Sequence, residues 1–253
     1  MKKYLHQLWQ GCLGTVLQPE CSLCQRPATA TGWCSNCLTA LQHCRFSTVD
    51  QMQVVEPPPA GLAEGMVLDS LSVFAWGHYG GALKRSLTTL KYQQKPHLAL
   101  ALGFWLGQSW HSQLLLEQPL RSRAPIVVPI PLSQEKLKLR GFNQAERLAQ
   151  GFCRWTGLRL HPQALQRVRN TEAQFRLSAA ERAANLSRAF AVGNVSPGTA
   201  VLLLDDIYTT GATVWAAVEA FAQRGIPTVG VVVMARPTSA PSYTNAKPNA
   251  TMS

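Results

Sequence analysis

The chain has 253 residues, of which 46% are hydrophobic and 15% charged, so it can bury a full-sized core and is not a disordered chain. Its formal net charge of +11 favours partners that carry phosphate groups, and the excess lies in residues 66–200, with 17 basic and six acidic side chains. No stretch approaches the roughly 18 apolar residues of a transmembrane helix, and the N-terminus lacks a signal-peptide core. We therefore expect a cytoplasmic protein without membrane insertion.

Cysteines are concentrated near the start of the chain, where six of the seven fall within the first 44 residues. An odd total with this clustering is not typical of a secreted disulfide framework. Cys21-x-x-Cys24 and Cys34-x-x-Cys37 are separated by nine residues, a spacing that can close a tetrahedral zinc site. Four thiolates leave no open position, so the metal would be structural. Redox or free core thiols are the alternative. The roles of three further cysteines stay open: Cys12, Cys44 and Cys153.

Composition divides the chain into four parts. These are a cysteine module at 1–50, a linker with three consecutive prolines at 51–67, a main domain at 68–236 and a disordered, proline-rich tail at 237–253. In the main domain, apolar strand-like runs at 71–76, 126–130, 201–204 and 228–234 alternate with helical segments at 81–92, 98–116, 143–155 and 213–224. The alternation predicts an α/β domain in which helices flank a largely parallel sheet. Asn143, followed three residues later by Glu146, marks a helix start.

Residues 201–213 combine four apolar residues, two acids and a Thr/Gly loop. A buried parallel strand would deliver Asp205 and Asp206 at its carboxyl end, where open α/β sheets bind ligands. The loop from Thr209 to Thr213 would offer hydroxyls and backbone N–H groups at a helix N-terminus, where a phosphate is stabilised. Acids beside a phosphate cradle indicate a sugar phosphate, and an ordinary strand, turn and helix is the alternative.

The same thirteen residues closely resemble the phosphoribosyl diphosphate (PRPP) signature of type I phosphoribosyltransferases. The resemblance implies a type I phosphoribosyltransferase fold in which Asp205 and Asp206 bind the ribose 2′ and 3′ hydroxyls. It also implies that a five-residue loop binds the 5′-phosphate: Thr209, Thr210, Gly211, Ala212 and Thr213. Mg²⁺ would accompany PRPP, because the acid pair would otherwise repel the diphosphate.

Three further stretches are similar to the ComF family, so the resemblance runs from about residue 21 to residue 236. They are residues 128–132 with 140–146 (VPIPL and RGFNQAE), residues 169–190 (Arg169, Gln174, Leu177, Arg182, Asn185 and Ala189-Phe190), and Leu90-Lys91-Tyr92. The family implies a zinc-ribbon-like module before the phosphoribosyltransferase domain. Where phosphoribosyltransferases bind diphosphate, the candidates are Pro131, Arg140 and Lys91. Lys91 as a plain surface lysine is the alternative. A further set forms either a mobile basic arm or solvated helix charges: Arg169, Gln174, Arg176 and Arg182.

Two functions follow from the resemblance and stay open at this point. The first is DNA uptake in natural competence, or use of DNA as a nutrient, with single-stranded DNA and competence-machinery proteins as partners. The positive charge agrees with it, and four aromatic residues could stack on bases or belong to the core: Trp76, Tyr79, Tyr92 and Phe142. The alternative is an active Mg²⁺-dependent phosphoribosyltransferase that transfers the sugar to an unidentified base. No segment of the sequence indicates a binding pocket for the acceptor base.

Overall fold

The computed structural model describes residues 19–58, 68–92, 95–114, 124–168 and 189–238. Within these ranges there are seven strands: β1 (Met52–Val55), β2 (Leu71–His78), β3 (Ile126–Pro129), β4 (Leu165–Arg167), β5 (Phe190–Val192), β6 (Val201–Ile207) and β7 (Thr228–Arg236). The same ranges contain six α-helices: α1 (Ser35–Gln42), α2 (Gly81–Tyr92), α3 (Pro96–Leu114), α4 (Gln134–Arg140), α5 (Gln144–Thr156) and α6 (Ala212–Ala222). None of the helices described is long and apolar enough to cross a membrane.

The main sheet has five strands in the order β1-β2-β7-β6-β3. Strands β2, β7, β6 and β3 are parallel to their neighbours, and β1 pairs antiparallel at one edge. Residues 201–204 of β6 and residues 230–235 of β7 form continuous buried runs without charged side chains, as expected of central strands covered on both faces. The predicted α/β fold with a largely parallel sheet flanked by helices is confirmed.

Alternate residues of β6 pack into two different cores because successive side chains of a strand point to opposite faces. Leu202 and Leu204 join the cluster formed with α2, α3 and α5. Val201 and Leu203 join the cluster formed with α6 and the small antiparallel pair β4-β5. Both faces of the sheet are therefore covered by apolar cores, so polar side chains are expected at its two ends.

The linker expected at 51–67 is corrected at its first residues, because Met52–Val55 forms β1 and pairs with β2. The preceding residues also run beside β2, where the amides of Phe46 and His78 donate to the carbonyls of Trp76 and Cys44. Two valines in β1 favour the strand, while the prolines that suggested a linker begin only at residue 57. The rest of the linker, from residue 59 to 67, lies outside the described residues.

The cysteine module packs directly onto the main domain. The ring of Trp33 lies 5.4 Å from that of Trp105, which stacks at 6.2 Å on Trp76 of β2. All four of the buried residues Cys21, Trp33, Cys34 and Leu41 belong to the same core cluster as α2, α3 and α5. Module and sheet thus share one hydrophobic core. The expected basic arm at 169–182, Cys12 and residues 239–253 of the expected tail fall beyond the described ranges.

Candidate functional site

The two acids lie at the carboxyl end of the central strand β6, as the sequence predicts. Asp205 pairs in register with Val233 of β7, and Leu204 just before it pairs with Pro129 of β3. Because they are consecutive in a strand, their carboxyl groups leave on opposite faces of the sheet. A ligand placed over the end of β6 would therefore meet one acid on each side.

Asp206 is buried and forms an ion pair with Lys91 at the end of α2. Lys91 Nζ lies 2.5 Å from Asp206 Oδ2, and the two side chains are 20% and 10% exposed. Sequence reasoning left open whether Lys91 was a surface lysine, and the structure brings it to the acid pair. A lysine held here offsets the negative charge on the α2 side of the strand.

Asp205 has a strongly perturbed carboxyl group. Burial raises the pKa of Asp205 well above its ordinary value, and the nearby charge of Asp206 raises it further. The Asp206 N–H donates to Asp205 Oδ1 over 2.7 Å, a contact that favours the ionised form but does not overcome burial. Perturbed acids of this kind cluster at binding and catalytic sites.

Arg167 of β4 was missed by the sequence reasoning, although it interacts with Asp205. Burial lowers the pKa of Arg167, and the Asp205 charge acts in the opposite direction. Its guanidinium carbon also lies 5.6 Å from the ring centroid of Phe190. The acid pair is thus flanked by a lysine on one face and an arginine on the other. The sequence did offer a signal for Arg167, since it lies two residues before Arg169, at the start of the basic stretch singled out above.

The loop after the acids is open to solvent and leads straight into a helix. Thr209, Thr210 and Ala212 are exposed, and Gly211 takes a left-handed conformation (φ 75°) as the N-cap of α6. The position requires glycine twice over, because a Cβ atom there would also lie 2.3 Å from the Tyr208 hydroxyl. The Gly N-cap has no side chain of its own, and Thr210 Oγ1 accepts from the Ala212 N–H over a long 3.4 Å, so this helix start suits an external anion.

The three diphosphate candidates lie at this same end of the sheet. Pro131 follows Ile130, whose amide donates to Leu204 O and whose carbonyl accepts from Asn143 Nδ2. The Arg140 guanidinium carbon lies 6.0 Å from the ring centroid of Tyr92, the residue after Lys91. Arg140 Nε is buried without a hydrogen-bond partner among the described residues. An arginine with an unmet donor suits a phosphate ligand.

The four cysteines of the module converge as predicted. The Sγ atoms of Cys21, Cys24, Cys34 and Cys37 all lie within 4.8 Å of one another. A tetrahedral zinc with bonds of about 2.3 Å places its sulfurs about 3.8 Å apart, so the cluster could hold zinc. Burial opposes ionisation of Cys21, but hydrogen bonds from the backbone of Cys34, Leu23 and Cys24 lower its pKa to about 6. A thiolate at this position is ready to ligate a cation.

Together these features define an α/β protein with an acid pair at the carboxyl end of its sheet and a four-cysteine cluster packed on its side. No family model matches the chain. It is 30% identical to the DNA utilization protein YhgH of Salmonella typhi over 229 residues, or 85% of this chain and 96% of that protein. It is 27% identical to Competence protein F of Haemophilus influenzae over 245 residues, or 90% and 94% of the two chains. The chain belongs to the ComF family of DNA utilization and competence proteins.

Among solved structures, the chain is similar to adenine phosphoribosyltransferase from Leishmania tarentolae. The TM-score is 0.32 and the identity 11%, and the match covers 59% of this chain and 74% of that one.

Proposed function

We propose that this protein acts in DNA uptake or in the use of DNA as a nutrient, and that it binds PRPP with Mg²⁺ at the end of β6. The observation that carries the proposal is the order of groups there, with an acid pair followed by an exposed loop that starts a helix. Relatives named for DNA utilization and competence, matched over most of the chain, supply the biological context.

Each part of PRPP has a chemically suited partner in this arrangement. The carboxylates of Asp205 and Asp206 would accept hydrogen bonds from the ribose hydroxyls, and residues 209–213 would bind the 5′-phosphate with N–H groups and hydroxyls. Lys91 and Arg140, with Pro131 shaping the loop, would bind the diphosphate. Bound Mg²⁺ would neutralise charge between the diphosphate and the acids, since it prefers carboxylate and phosphate oxygens.

The cysteine cluster would contribute stability through a zinc ion. Four sulfur ligands leave no position for a substrate, so the metal would hold residues 21–37 in shape. Because this module shares a core with Trp76 and Trp105, the metal would also support β2 and α3.

Single-stranded DNA is the proposed macromolecular partner, and the cytoplasm the proposed location. The excess of basic over acidic side chains at residues 66–200 provides the sequence-independent attraction to phosphates. We expect the affinity for a labelled oligonucleotide to fall steeply between about 50 and 200 mM salt. Binding that is insensitive to salt would contradict the proposal. Protein partners from the competence machinery are proposed on the family relationship alone.

The PRPP site is tested by isothermal titration of the zinc-loaded protein with PRPP and Mg²⁺. We expect binding by the wild type and none by the Asp205→Asn/Asp206→Asn double variant. Unchanged affinity in the double variant would remove the assignment of the acids. Diphosphate release is measured in parallel samples that also contain adenine or uracil, because diphosphate leaves the sugar of PRPP only when an acceptor takes its place; release there identifies a transferase for that base.

The phosphate loop is tested by a matched pair of glycine substitutions. Gly211 and Gly198 have nearly the same backbone conformation (φ 75° and 76°), but only a Cβ at Gly211 would meet another residue within 4 Å. Both substitutions impose the same backbone strain of about 1–2 kcal/mol. We expect Gly211→Ala to weaken PRPP binding at least tenfold and Gly198→Ala to leave it unchanged. Equal effects would place the phosphate elsewhere.

A further inference from the structure

The ring of Tyr92 is exposed to solvent, one residue beyond the lysine that contacts Asp206. Tyr92 is the last residue of α2 and is 70% exposed, although the lysine before it contacts Asp206. Arg140, from the end of α4, lies 6.0 Å from the ring centroid. An aromatic ring and a guanidinium group thus meet at the border of the proposed PRPP site.

The structure separates Tyr92 from the other aromatic residues considered for base stacking. Trp76 is buried and stacks on Trp105 in the core. Tyr79 is half-buried against the same core with Lys84 near its ring, and Phe142 is also half-buried. Of these four, Tyr92 is the one that offers most of its ring to a ligand.

Further exposed apolar surface lies directly before Arg140 in the chain. Leu139, directly before Arg140, is 73% exposed, so apolar surface is present on the α4 side as well. A nucleobase has flat apolar faces, which the exposed Tyr92 ring can accommodate.

We propose that the exposed Tyr92 ring forms a stacking platform for a nucleobase, next to the diphosphate that Arg140 would bind. Every base has a π face, and aromatic rings stack on it. The platform rests on the proposed function, because the sugar phosphate site at β6 fixes where the base lies. The base belongs either to a single strand of DNA or to a free nucleobase next to PRPP, and the experiment distinguishes these sources.

The test compares two single strands of equal charge. A labelled oligothymidylate of about 12 nucleotides and an abasic strand of the same length are titrated by fluorescence anisotropy against wild type and Tyr92→Leu. We expect the variant to bind the base-bearing strand about tenfold more weakly, because one stacked base is lost. Its affinity for the abasic strand should not change. Tyr92→Phe, which keeps the ring, is expected to bind like the wild type.

Trp155→Leu is the control for loss of an exposed aromatic residue elsewhere. Trp155 is 41% exposed and lies near the end of α5, about 16 Å along the helix axis from its start. We expect this variant to bind both strands as the wild type does.

The second arm titrates free adenine and uracil into protein saturated with PRPP and Mg²⁺. A loss caused by Tyr92→Leu in this arm alone identifies a free base, and a loss in the oligonucleotide arm alone identifies a strand. Equal losses for base-bearing and abasic strands, or no loss in either arm, would overturn the platform. PRPP binding without a Tyr92 effect refutes the platform alone, and a Tyr92 effect without PRPP binding refutes the proposed sugar phosphate site alone.

Discussion

The cysteine module and the carboxyl end of the sheet are assembled in opposite ways. The module's four thiols come from 17 consecutive residues, so local turns bring them within 4.8 Å of one another. The acid-pair end combines β6 with the ends of α2, α4 and β4, which are far apart in the sequence. The first arrangement is encoded by spacing, while the second depends on the topology of the sheet. Stability is therefore expected to respond most to the module, and ligand binding to the sheet end.

Loss of one zinc ligand is expected to have the largest effect on stability. Cys21 is buried in the core cluster that also contains Trp33 and Trp76. Structural zinc contributes about 10 kcal/mol or more in small zinc modules, so Cys21→Ser should lower Tm by more than about 10 °C. Calorimetry and zinc analysis of reduced protein would measure both effects.

Cys153→Ala is the control, since burial raises the pKa of Cys153 to about 12 and it lies outside the cluster. We expect it to keep one zinc per chain and to lose little stability. Fewer than one zinc in the wild type, or equal Tm losses in the two variants, would contradict a structural zinc.

A substitution in β2 tests whether module and sheet form one core. A Cβ at Gly77 would lie 2.2 Å from the carbonyl oxygen of Cys44, so Gly77→Ala must push the two segments apart. We expect a loss of about 3 kcal/mol in the free energy of unfolding, or roughly 9 °C in Tm.

Gly230→Ala in the neighbouring strand is the matched control, because its Cβ would meet Ser72 O at 3.3 Å. A few tenths of an ångström of movement relieves that contact, so a smaller loss is expected. If Gly77→Ala costs no more than Gly230→Ala in denaturant unfolding, the contact between Cys44 and β2 does not hold the module in place.

The smallest expected effect is a gain in stability rather than a loss, and it comes from a substitution in the acid pair. An acid with a raised pKa in the folded protein binds its proton more tightly than in the unfolded chain. Stability therefore falls as the pH rises from about 3.9, the unfolded value, through the raised pKa. Burial raises the pKa of Asp205 in this way, so Asp205→Asn should stabilise the ligand-free protein near pH 7.

Thermal unfolding between pH 4 and pH 8 measures this gain, which should shrink toward pH 4. The exposed Asp69, which lies before β2 at the other end of the sheet, supplies Asp69→Asn as a control for removing one carboxylate away from the acid pair. A loss of stability in Asp205→Asn at neutral pH would show that Asp205 holds the fold together.

The sequence predicted what is encoded locally. The starts of four predicted strands match β2, β3, β6 and β7, because long apolar runs between helices leave little choice. The predicted helix start at Asn143 is confirmed, since its side chain accepts from the Ala145 N–H. The cysteine cluster and the acid pair with its loop also lie where their spacing implies.

The parts that sequence reasoning missed depend on tertiary contacts. Strand β1 has only four residues and is stabilised by pairing with β2, while α4 exposes both of its leucines, Leu137 and Leu139. Helix α1 buries one residue, Leu41. Arg167 joins the site because β4 lies near Asp205, an interaction that cannot be predicted from the spacing of residues in the sequence. The pairing of Lys91 with Asp206 likewise spans 115 positions.

Hydrogen exchange in the presence and absence of PRPP and Mg²⁺ tests the central claim most directly, because it reports where the ligand binds. We predict slower exchange at residues 207–214, and at the ends of α2 and α4 near Lys91 and Arg140, with no change around Cys21–Cys37. Protection confined to the cysteine module, or no protection at residues 207–214 under saturating ligand, would contradict a PRPP site at the end of β6.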